Sequence, residues 1–250
     1  MERVGKNAMT PFCFEARQLV KHYGSKAVVD GLSFCVREGE IVGLLGPNGA
    51  GKTTAFYMSI GLIRPDGGEV WFQGQNVTEI PLHKRAWMGM GYLAQEPSVF
   101  RGLTVEENIL AILQTLPLSK QQQKNRLAEL LEELRLTALA KKNAAALSGG
   151  ERRRVEITRA LVTNPTFLLL DEPFANIDPL SVQELKQLVR LLSNKKISVL
   201  ITDHNAREIF SVVDRSYLIQ EGRVTLEGPS DLLLNHEEAR RTYFGSDFRL

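Results

Sequence analysis

The stretch from Gly46 to Thr54, GPNGAGKTT, constrains the fold of this chain most strongly. It fits the pattern G-x-x-x-x-G-K-[ST], in which glycines let the backbone turn sharply and approach a phosphate closely. The apolar run Ile41–Leu45 before it favours a buried parallel strand, and residues 53–58 after it begin a helix. A strand, a glycine-rich loop and a helix in this order predict an α/β fold that binds phosphate groups at the start of the helix.

This loop offers several kinds of ligand to a nucleotide. Its successive backbone N–H groups form an anion-binding nest, and Lys52 places a positive charge on the β- and γ-phosphates. Thr53 supplies a hydroxyl to Mg²⁺, which prefers oxygen ligands. A glycine-rich turn that fits by chance is the alternative, and the flanking strand and helix disfavour it. The predicted phosphate-binding residues are Gly46, Pro47, Asn48, Gly49, Ala50, Gly51, Lys52, Thr53 and Thr54.

Length, charge and cysteine content narrow the class of protein. A chain of 250 residues accommodates one large α/β domain or a domain with a subdomain. The net charge of +2 gives little general attraction to nucleic acid. Cys13 and Cys35 are far apart and outside any C-x-x-C pattern, which fits a reducing cytosol and no zinc site. We expect no membrane span and no signal peptide, and a loose tail over residues 1–11.

A second motif places acidic groups at the end of another buried strand. The apolar run 167–170 is followed by Asp171 and Glu172. Because α/β sheets bind ligands at the carboxyl ends of their strands, Asp171 is predicted to hold Mg²⁺ through water. Glu172 is predicted to polarise the attacking water as a general base. The alternative is an acidic pair that merely feeds a turn.

His204 follows the next apolar strand, residues 198–202, in the same way. Its ring is predicted to contact the γ-phosphate or to position Glu172, although a lone histidine is more often structural. Residues 147–151, LSGGE, open a helix and form a second anion site. If both anion sites serve one nucleotide, two chains must pair head to tail. The basic run Arg152–Arg154 is interpreted as a solvated helix face.

Periodicity places the remaining elements. Residues 105–116 are predicted to be helical, and Ser119 is predicted to cap the next helix. Leucines at 127, 130, 131 and 134 form one apolar face, which indicates a helical insert packed on the core. Residues 22–25 are predicted to form a turn, and a helix is predicted from Asn205 to about Val213.

Assembled in this order, the motifs resemble the ATPase subunits of ABC transporters over nearly the whole chain from Phe12. The resemblance implies ATP and Mg²⁺ as cofactors, with catalytic roles for Glu172 and His204. It also implies that Tyr23 stacks on adenine, the alternative being an exposed turn tyrosine. By the same resemblance, Gln95 contacts ATP and the metal, and Asp178 is the D-loop residue. The signature residues, which contact ATP from the partner chain, are Leu147, Ser148, Gly149, Gly150 and Glu151.

The family fold implied is a P-loop NTPase with a mainly parallel RecA-like core, an antiparallel β-subdomain and a helical subdomain. We expect one ATPase domain over residues 12–228, with the helical subdomain inserted at about 96–162. A C-terminal helix and tail are expected over 229–250. The chain departs from the family pattern at Glu151, where glutamine is more common, and at residues 175–178, which read ANID.

Further stretches resemble the branch of the family that powers lipopolysaccharide export. They include residues 82–83, 91–93, 95–96, 100–101, 147–155, 171–174, 201–205 and 245–250. This resemblance implies a cytoplasmic homodimer, peripheral on the inner membrane, under two integral-membrane permease subunits of the LptF/LptG kind, with no nucleic-acid partner. Phe100 and Arg101 would line the groove that receives a permease helix, the alternative for Phe100 being an exposed loop aromatic. The rival functions are the ATPase of a branched-chain amino acid importer, a soluble ABC-type switch and a small-molecule P-loop kinase, although the kinase leaves residues 147–151 and His204 unexplained.

Overall fold

The computed structural model describes residues 12–244, whose elements are numbered here in chain order. The strands are β1 (Phe12–Tyr23), β2 (Lys26–Arg37), β3 (Ile41–Leu45), β4 (Gly67–Phe72), β5 (Gln75–Asn76), β6 (Met90–Leu93), β7 (Phe167–Asp171), β8 (Ser198–Thr202), β9 (Arg215–Gln220) and β10 (Arg223–Gly228). The helices are α1 (Lys52–Ile60), α2 (Leu82–Trp87), α3 (Val105–Leu113), α4 (Lys120–Glu133), α5 (Gly149–Leu161), α6 (Pro179–Asn194), α7 (Ala206–Phe210), α8 (Ser230–Asn235) and α9 (Glu237–Ala239). Short 3₁₀ turns cover Thr137–Leu139 and Ala144–Ala146, and a π-helical turn covers Arg240–Phe244.

The central sheet carries the strands that precede the predicted site residues. Its order is β10-β9-β3-β8-β7-β6, and the strands pair in parallel from β9 to β6. Every residue of β3, β7 and β8 is buried, as expected for parallel strands covered on both faces. The carboxyl ends of these three strands therefore meet at one edge of the sheet.

A second, antiparallel sheet has the order β2-β1-β4-β5. Its inner face is aromatic, and it packs on the central sheet through Phe14, whose ring stacks on Phe167 at a centroid distance of 4.8 Å. Phe72 also lies against Phe167, with the centroids 6.2 Å apart. Offset aromatic pairs of this kind add to the stabilisation from burial alone, so these contacts fix the antiparallel sheet against the parallel one.

Helices α3, α4 and α5 pack together between β6 and β7 in the chain. The predicted cap Ser119 is confirmed, because its hydroxyl accepts the backbone N–H of Gln122 while the Gln122 side chain accepts the N–H of Ser119. Of the predicted apolar face, Leu130, Leu131 and Leu134 are buried and Leu127 packs against the same cluster. The predicted amphipathic helix is therefore confirmed.

The predicted fold class is confirmed, since a mainly parallel sheet, an antiparallel sheet and a group of helices are all present. The domain limits at 162 and 228 stay a prediction. The predicted N-terminal tail, residues 1–11, and the last six residues of the predicted C-terminal tail, 245–250, lie outside the described residues.

Some predicted element ends are wrong by a few residues. The turn is shorter than the predicted range 22–25, because His22 and Tyr23 still belong to β1 and pair with Ala27 and Lys26 of β2. Helix α3 stops at Leu113 rather than residue 116, since Pro117 disfavours a helical conformation in the residue before it. Helix α7 stops at Phe210 rather than Val213, and Ser211 closes it by bonding back to Arg207 and Ile209.

Candidate functional site

The glycine-rich loop lies between β3 and α1, and its glycines are required by geometry. Gly46 has φ 148°, and a Cβ there would come within 2.1 Å of the Ile219 carbonyl oxygen. Gly51 has φ 98°, and its Cβ would lie 2.5 Å from the Val28 carbonyl oxygen. Gly49, at φ 78°, instead faces open space, where no atom lies within 4 Å of a built Cβ. The loop thus packs tightly on the protein side and is open where a phosphate would lie.

Lys52 and Thr53 start helix α1 at the end of this loop. The Lys52 ammonium donates to the carbonyl oxygens of Gly46 at 2.6 Å and Pro47 at 2.9 Å, so it folds back over the loop. Burial lowers the pKa of Lys52, and the nearby Glu172 carboxylate opposes that change. The Thr53 side chain is exposed at the start of the helix. A helix N-terminus with an adjacent lysine and hydroxyl can bind a polyphosphate and a divalent cation.

Asp171 ends β7 at the same edge of the central sheet and is buried. Its Oδ1 accepts a hydrogen bond of 2.7 Å from the Thr202 hydroxyl, whereas its Oδ2 is buried without a hydrogen-bond partner. Burial raises the pKa of Asp171, since the charged form loses hydration. An unpaired carboxylate oxygen of this kind can accept a hydrogen bond from a water molecule bound to Mg²⁺.

Glu172 is the centre of a polar cluster that the structure brings together from three segments. Its Oε2 accepts a hydrogen bond of 2.7 Å from Nε2 of Gln95 and lies 3.4 Å from Nδ1 of His204. The same Nδ1 lies 3.5 Å from Oδ1 of the buried Asp203. Glu172 has a φ of 43°, a left-handed value that costs about 1–3 kcal/mol in a residue with a Cβ. Such strain is typical of a side chain held in place for chemistry.

The second glycine-rich motif starts helix α5. Ser148 is the N-cap residue, and it forms a reciprocal capping box with Glu151. Ser148 and Gly149 are exposed, whereas Leu147 and Gly150 are buried. A Cβ on Gly150 would lie 2.2 Å from the hydroxyl oxygen of Ser181. The signature motif therefore packs directly on the start of α6 and exposes its helix N-terminus.

Asp178, the predicted D-loop residue, caps α6 through a carboxylate that accepts the N–H of Ser181 at 3.0 Å. These hydrogen bonds to Ser181 lower the pKa of Asp178. Because Ser181 also touches the signature glycine, the D-loop and the signature motif form one continuous surface. Neither Ser148 nor Asp178 forms a described side-chain contact with the P-loop, so the chain's two anion sites are separate.

The Glu151 departure from the family pattern has a simple structural account. Ser148 N–H donates to the Glu151 carboxylate at 2.8 Å, and the Glu151 N–H donates to the Ser148 hydroxyl at 3.2 Å. Glutamine closes the same capping box. We therefore expect Glu151→Gln to preserve the ATPase rate and to lower the free energy of unfolding by less than about 1 kcal/mol, because its ion pair with Lys142 is partly exposed to solvent.

The effect of Glu151→Gln on the free energy of unfolding should depend on pH with a definite sign. The backbone N–H of Ser148 lowers the pKa of Glu151 below its ordinary value of 4.5. A lowered pKa in the folded state gives stability above the unfolded pKa that is lost as the pH falls through the folded value. Chemical denaturation from pH 7 to pH 3 should therefore show the wild type losing its advantage over Glu151→Gln at the acid end. Glu107→Gln, in the capping box of α3, should show the same acid loss, because the Thr104 N–H likewise lowers the pKa of Glu107. A wild-type advantage that grows on acidification would contradict the account.

The basic run 152–154 was interpreted as a solvated face, and this is wrong for Arg153. Its guanidinium is buried and donates to the carbonyl oxygens of Ala94 at 2.6 Å and Asp171 at 2.8 Å. It also donates to the carbonyl of Glu172 and pairs with the buried Glu156 at 3.1 Å. Arg153 thus ties helix α5 to the strand ends that carry Gln95 and Glu172. The spacing of arginine and glutamate at i and i+3 was the available sequence signal.

Phe100 and Tyr23 are exposed aromatic residues away from the catalytic cluster. Phe100 is 48% exposed, and the Arg159 guanidinium lies 4.6 Å from the centre of its ring. Asn108 holds the Phe100 backbone from both sides, with hydrogen bonds of 2.8 and 3.0 Å. Arg101 is exposed next to it. Tyr23 ends β1 and is 51% exposed. These positions leave the predicted roles in partner binding and adenine stacking open to experiment.

Residues 12–244 show neither a membrane span nor a preformed cluster of metal ligands. No helix in this range is both long and apolar enough to cross a bilayer. Nor does this range contain a group of three or more His, Cys, Asp or Glu side chains able to hold a metal by themselves. The buried Asp171 beside a phosphate-binding loop is consistent with Mg²⁺, which takes its other ligands from water and phosphate.

Known proteins resemble this chain in both sequence and fold. The family model described as ABC transporter matches residues 29–175. The lipopolysaccharide export system ATP-binding protein LptB of Acidithiobacillus ferridurans is 50% identical over 94% of this chain and 98% of its own length. The protein of the same name from Escherichia coli K12 is 48% identical with the same coverage. A solved ATP-binding cassette of an ABC transporter in its ADP conformation superposes with a TM-score of 0.85 and 28% identity, over 95% of this chain and 100% of that one.

These matches agree with the geometry of the site. This chain has a P-loop after β3, a second glycine-rich helix start at α5 and an acidic end of β7, on a fold shared with a solved ATP-binding cassette. The chain therefore belongs to the ABC transporter family, as an ATP-binding protein with the fold of an ATP-hydrolysing cassette.

Proposed function

We propose that this chain is the Mg²⁺-dependent ATPase motor of a lipopolysaccharide exporter. It works as a homodimer under two integral-membrane permease subunits, on the cytoplasmic face of the inner membrane. The observation that carries the ATPase assignment is the cluster at the carboxyl edge of the central sheet. There Oε2 of Glu172 lies 2.7 Å from Nε2 of Gln95 and 3.4 Å from Nδ1 of His204. The Glu172 carboxylate also raises the pKa of Lys52, against the lowering caused by burial.

The site residues have distinct tasks in hydrolysis. The open face of the glycine-rich loop and the Lys52 ammonium bind the phosphates and neutralise their charge. Glu172 orients the attacking water and takes its proton, while Gln95 and His204 hold the carboxylate in place. The exposed Tyr23 ring is available to stack on the base.

Asp171, Thr53 and Gln95 would hold Mg²⁺ in this site. The partnerless Oδ2 of Asp171 and the exposed Thr53 hydroxyl are hard oxygen donors, and Gln95 donates through its nitrogen, which leaves its amide oxygen for a cation. When bound, Mg²⁺ would neutralise charge that develops on the phosphate oxygens.

We expect chelation with EDTA to abolish phosphate release by the purified chain. Excess Mg²⁺ should restore the original rate, because the donors require no refolding of the protein. The check is a colourimetric phosphate assay with a no-enzyme blank in each condition. An undiminished rate in EDTA would contradict the Mg²⁺ requirement while leaving the ATP site intact.

Homodimer formation would complete each ATP site. The exposed Ser148 and Gly149 start α5 away from the chain's own P-loop, and their N–H groups have the chemistry to bind a γ-phosphate. A two-fold pair of chains brings each signature motif to the partner's nucleotide. The adjacent D-loop, capped by Asp178, would then lie at the same junction.

The assignment to lipopolysaccharide export is supported by relatives of nearly full length, which carry that name at 48–50% identity. Phe100 and Arg101 are the residues we propose for the permease contact. An aromatic ring that is 48% exposed yet fixed by Arg159 and Asn108 is a preorganised contact, since little entropy is lost when it binds.

The test is a pull-down of the tagged chain from detergent-solubilised native membranes, with co-purifying chains identified by mass spectrometry. Two different permease subunits with periplasmic β-rich domains would support the proposal. Recovery of importer permeases with a solute-binding protein would move the chain to amino acid uptake. Recovery of no membrane protein would favour a soluble switch.

A matched pair of variants sharpens this test. Phe100→Ala should lose the permease subunits while retaining ATP binding, because the ring lies outside the catalytic cluster. Phe12→Ala is the control, since Phe12 is also an exposed phenylalanine, 42% accessible, with an arginine over its ring. Equal recovery of permeases with both variants would remove Phe100 from the proposed interface.

A further inference from the structure

Two adjacent polar residues follow strand β8, and their side chains differ in exposure. The His204 side chain is 60% exposed, whereas the Asp203 side chain is buried. The Glu172 N–H donates to the Thr202 carbonyl oxygen at 2.8 Å, which joins the end of β7 to the end of β8. An exposed ring and a buried carboxylate therefore lie next to the proposed general base.

The buried carboxylate of Asp203 is only partly satisfied by hydrogen bonds. Its Oδ1 accepts the backbone N–H of Asn205 at 2.9 Å, whereas its Oδ2 is buried without a described hydrogen-bond partner. Burial raises the pKa of Asp203, and the Asn205 N–H and the His204 ring oppose this rise. Among the described residues, Asp203 forms one ion pair, with His204. Because a buried carboxylate is costly without a donor or a cation, the His204 ring is the partner that offsets this cost.

One ring nitrogen of His204 lies between two carboxylates. Its Nδ1 is 3.4 Å from Oε2 of Glu172 and 3.5 Å from Oδ1 of Asp203. An ionised carboxylate only accepts hydrogen bonds, so a nitrogen that faces two of them carries the ring hydrogen. Which nitrogen of a histidine is protonated is set by the hydrogen bond that it makes. The two carboxylates together therefore fix the tautomer of His204 and leave Nε2 for contact with a ligand.

The two carboxylates differ in what happens to them during the proposed hydrolysis. Glu172 takes a proton from the attacking water, and a protonated carboxyl is a weaker acceptor than an ionised one. Asp203 is buried and its Oδ1 is bound to a backbone N–H, so its carboxylate can stay unchanged while Glu172 is protonated. Asp203 is thus the constant anchor for a largely exposed ring.

We propose that Asp203 is a positioning residue for hydrolysis, which holds Nδ1–H of His204 in place beside Glu172. The inference rests on the proposed ATPase function and extends it to a residue outside the motifs that predicted the site. Because its side chain is buried, Asp203 acts through the His204 ring rather than on the nucleotide. Its loss should lower turnover far more than ATP affinity.

The experiment measures Asp203→Asn and Asp203→Ser in the full-length chain. Both new side chains can still accept the Asn205 N–H, so the turn before α7 is kept. Neither supplies an ionised carboxylate to the His204 ring. We expect kcat for ATP to fall about 10- to 100-fold in both variants, the effect of one charge-assisted hydrogen bond. The Kd for fluorescent mant-ATP should stay nearly unchanged.

Asp214→Asn is the matched control. Its carboxylate also accepts a backbone N–H, from Ile41 at 2.8 Å, and it pairs with Arg190 at 2.7 Å. Ile41 begins β3, so this aspartate lies at the opposite edge of the central sheet from the candidate site. The control should lose stability in thermal unfolding and keep both kcat and the Kd for mant-ATP.

A double-mutant cycle with His204→Ala separates positioning from a merely structural role. If Asp203 acts through the ring, Asp203→Asn should not lower the rate further once the ring is absent. Single-turnover phosphate release with excess enzyme resolves the slow rates of these variants. A further ten-fold loss on the His204→Ala background would overturn the inference.

The single variants give the remaining outcomes. Wild-type kcat in Asp203→Asn and Asp203→Ser, with a slow His204→Ala, would overturn the inference and leave the proposed role of His204 intact. Wild-type kcat in His204→Ala would instead remove the proposed role of His204, and the inference with it. Absence of mant-ATP binding by the wild type would overturn the proposed ATP site itself.

Discussion

Glu172→Gln should bind ATP with nearly wild-type affinity and lose turnover by about 10²–10⁴-fold. Glutamine keeps the shape of the side chain, and its amide oxygen can still accept the Gln95 hydrogen bond seen at 2.7 Å. It cannot take a proton from the attacking water, so the loss falls on the chemical step. Phosphate release measures the turnover, and mant-ATP titration measures the affinity.

Glu79→Gln is the matched control for this prediction. Glu79 is an exposed glutamate that pairs with Arg64 on the surface, 63% accessible at its side chain. The same change of charge there should leave turnover within about two-fold, because surface pairs contribute little. Wild-type turnover by Glu172→Gln would remove Glu172 from the role of general base and leave the phosphate-binding loop in place.

Lys52→Ala should lose ATP affinity by about 10²-fold or more, because a charge-assisted contact to the phosphates disappears. The folded chain loses two hydrogen bonds to loop carbonyls as well, at Gly46 and Pro47. We expect those losses to cost little stability, since the carbonyls can bond to water instead. Isothermal titration with ATP and thermal unfolding of the same sample separate the two effects.

Lys141→Ala is the control for Lys52→Ala. Lys141 is 84% exposed at its side chain and pairs only with Glu106 among the described contacts of its ammonium. Its removal changes the net charge equally and should leave ATP binding unchanged. Retained affinity in Lys52→Ala would contradict the phosphate-binding role of the loop, and with it the ATP site.

Local patterns identified most of the fold because they carry strong physical constraints. Strands β3, β7 and β8 are continuous apolar runs, which only a sheet covered on both faces can bury. The cap at Ser119 followed from a side chain that satisfies orphan N–H groups. Helix ends were less predictable, because tertiary contacts decide whether the last turn continues, as at Phe210.

The candidate site was predictable where backbone geometry fixes the residue type. Gly46 and Gly51 cannot carry a Cβ in this loop, and Asp171 is the last residue of a buried parallel strand, whose carboxyl end lies at the ligand-binding edge of the sheet. The contact between Gln95 and Glu172 joins residues that are far apart in sequence, so no local pattern specified its geometry.

One positioning residue, Arg153, escaped the sequence argument. Arg153 lies in a basic run that normally faces solvent, and only the packing of α5 on the ends of β6 and β7 buries it. Long-range packing, rather than residue pattern, assigns this role.

The central claim is that two copies of this chain enclose ATP, each supplying the signature motif to the other's P-loop. The most direct test is the mass of Glu172→Gln in solution by light scattering, with and without ATP and Mg²⁺. We expect one chain, 28.0 kDa, without nucleotide and twice that mass with it. A species that binds ATP yet keeps the mass of one chain would contradict the shared site.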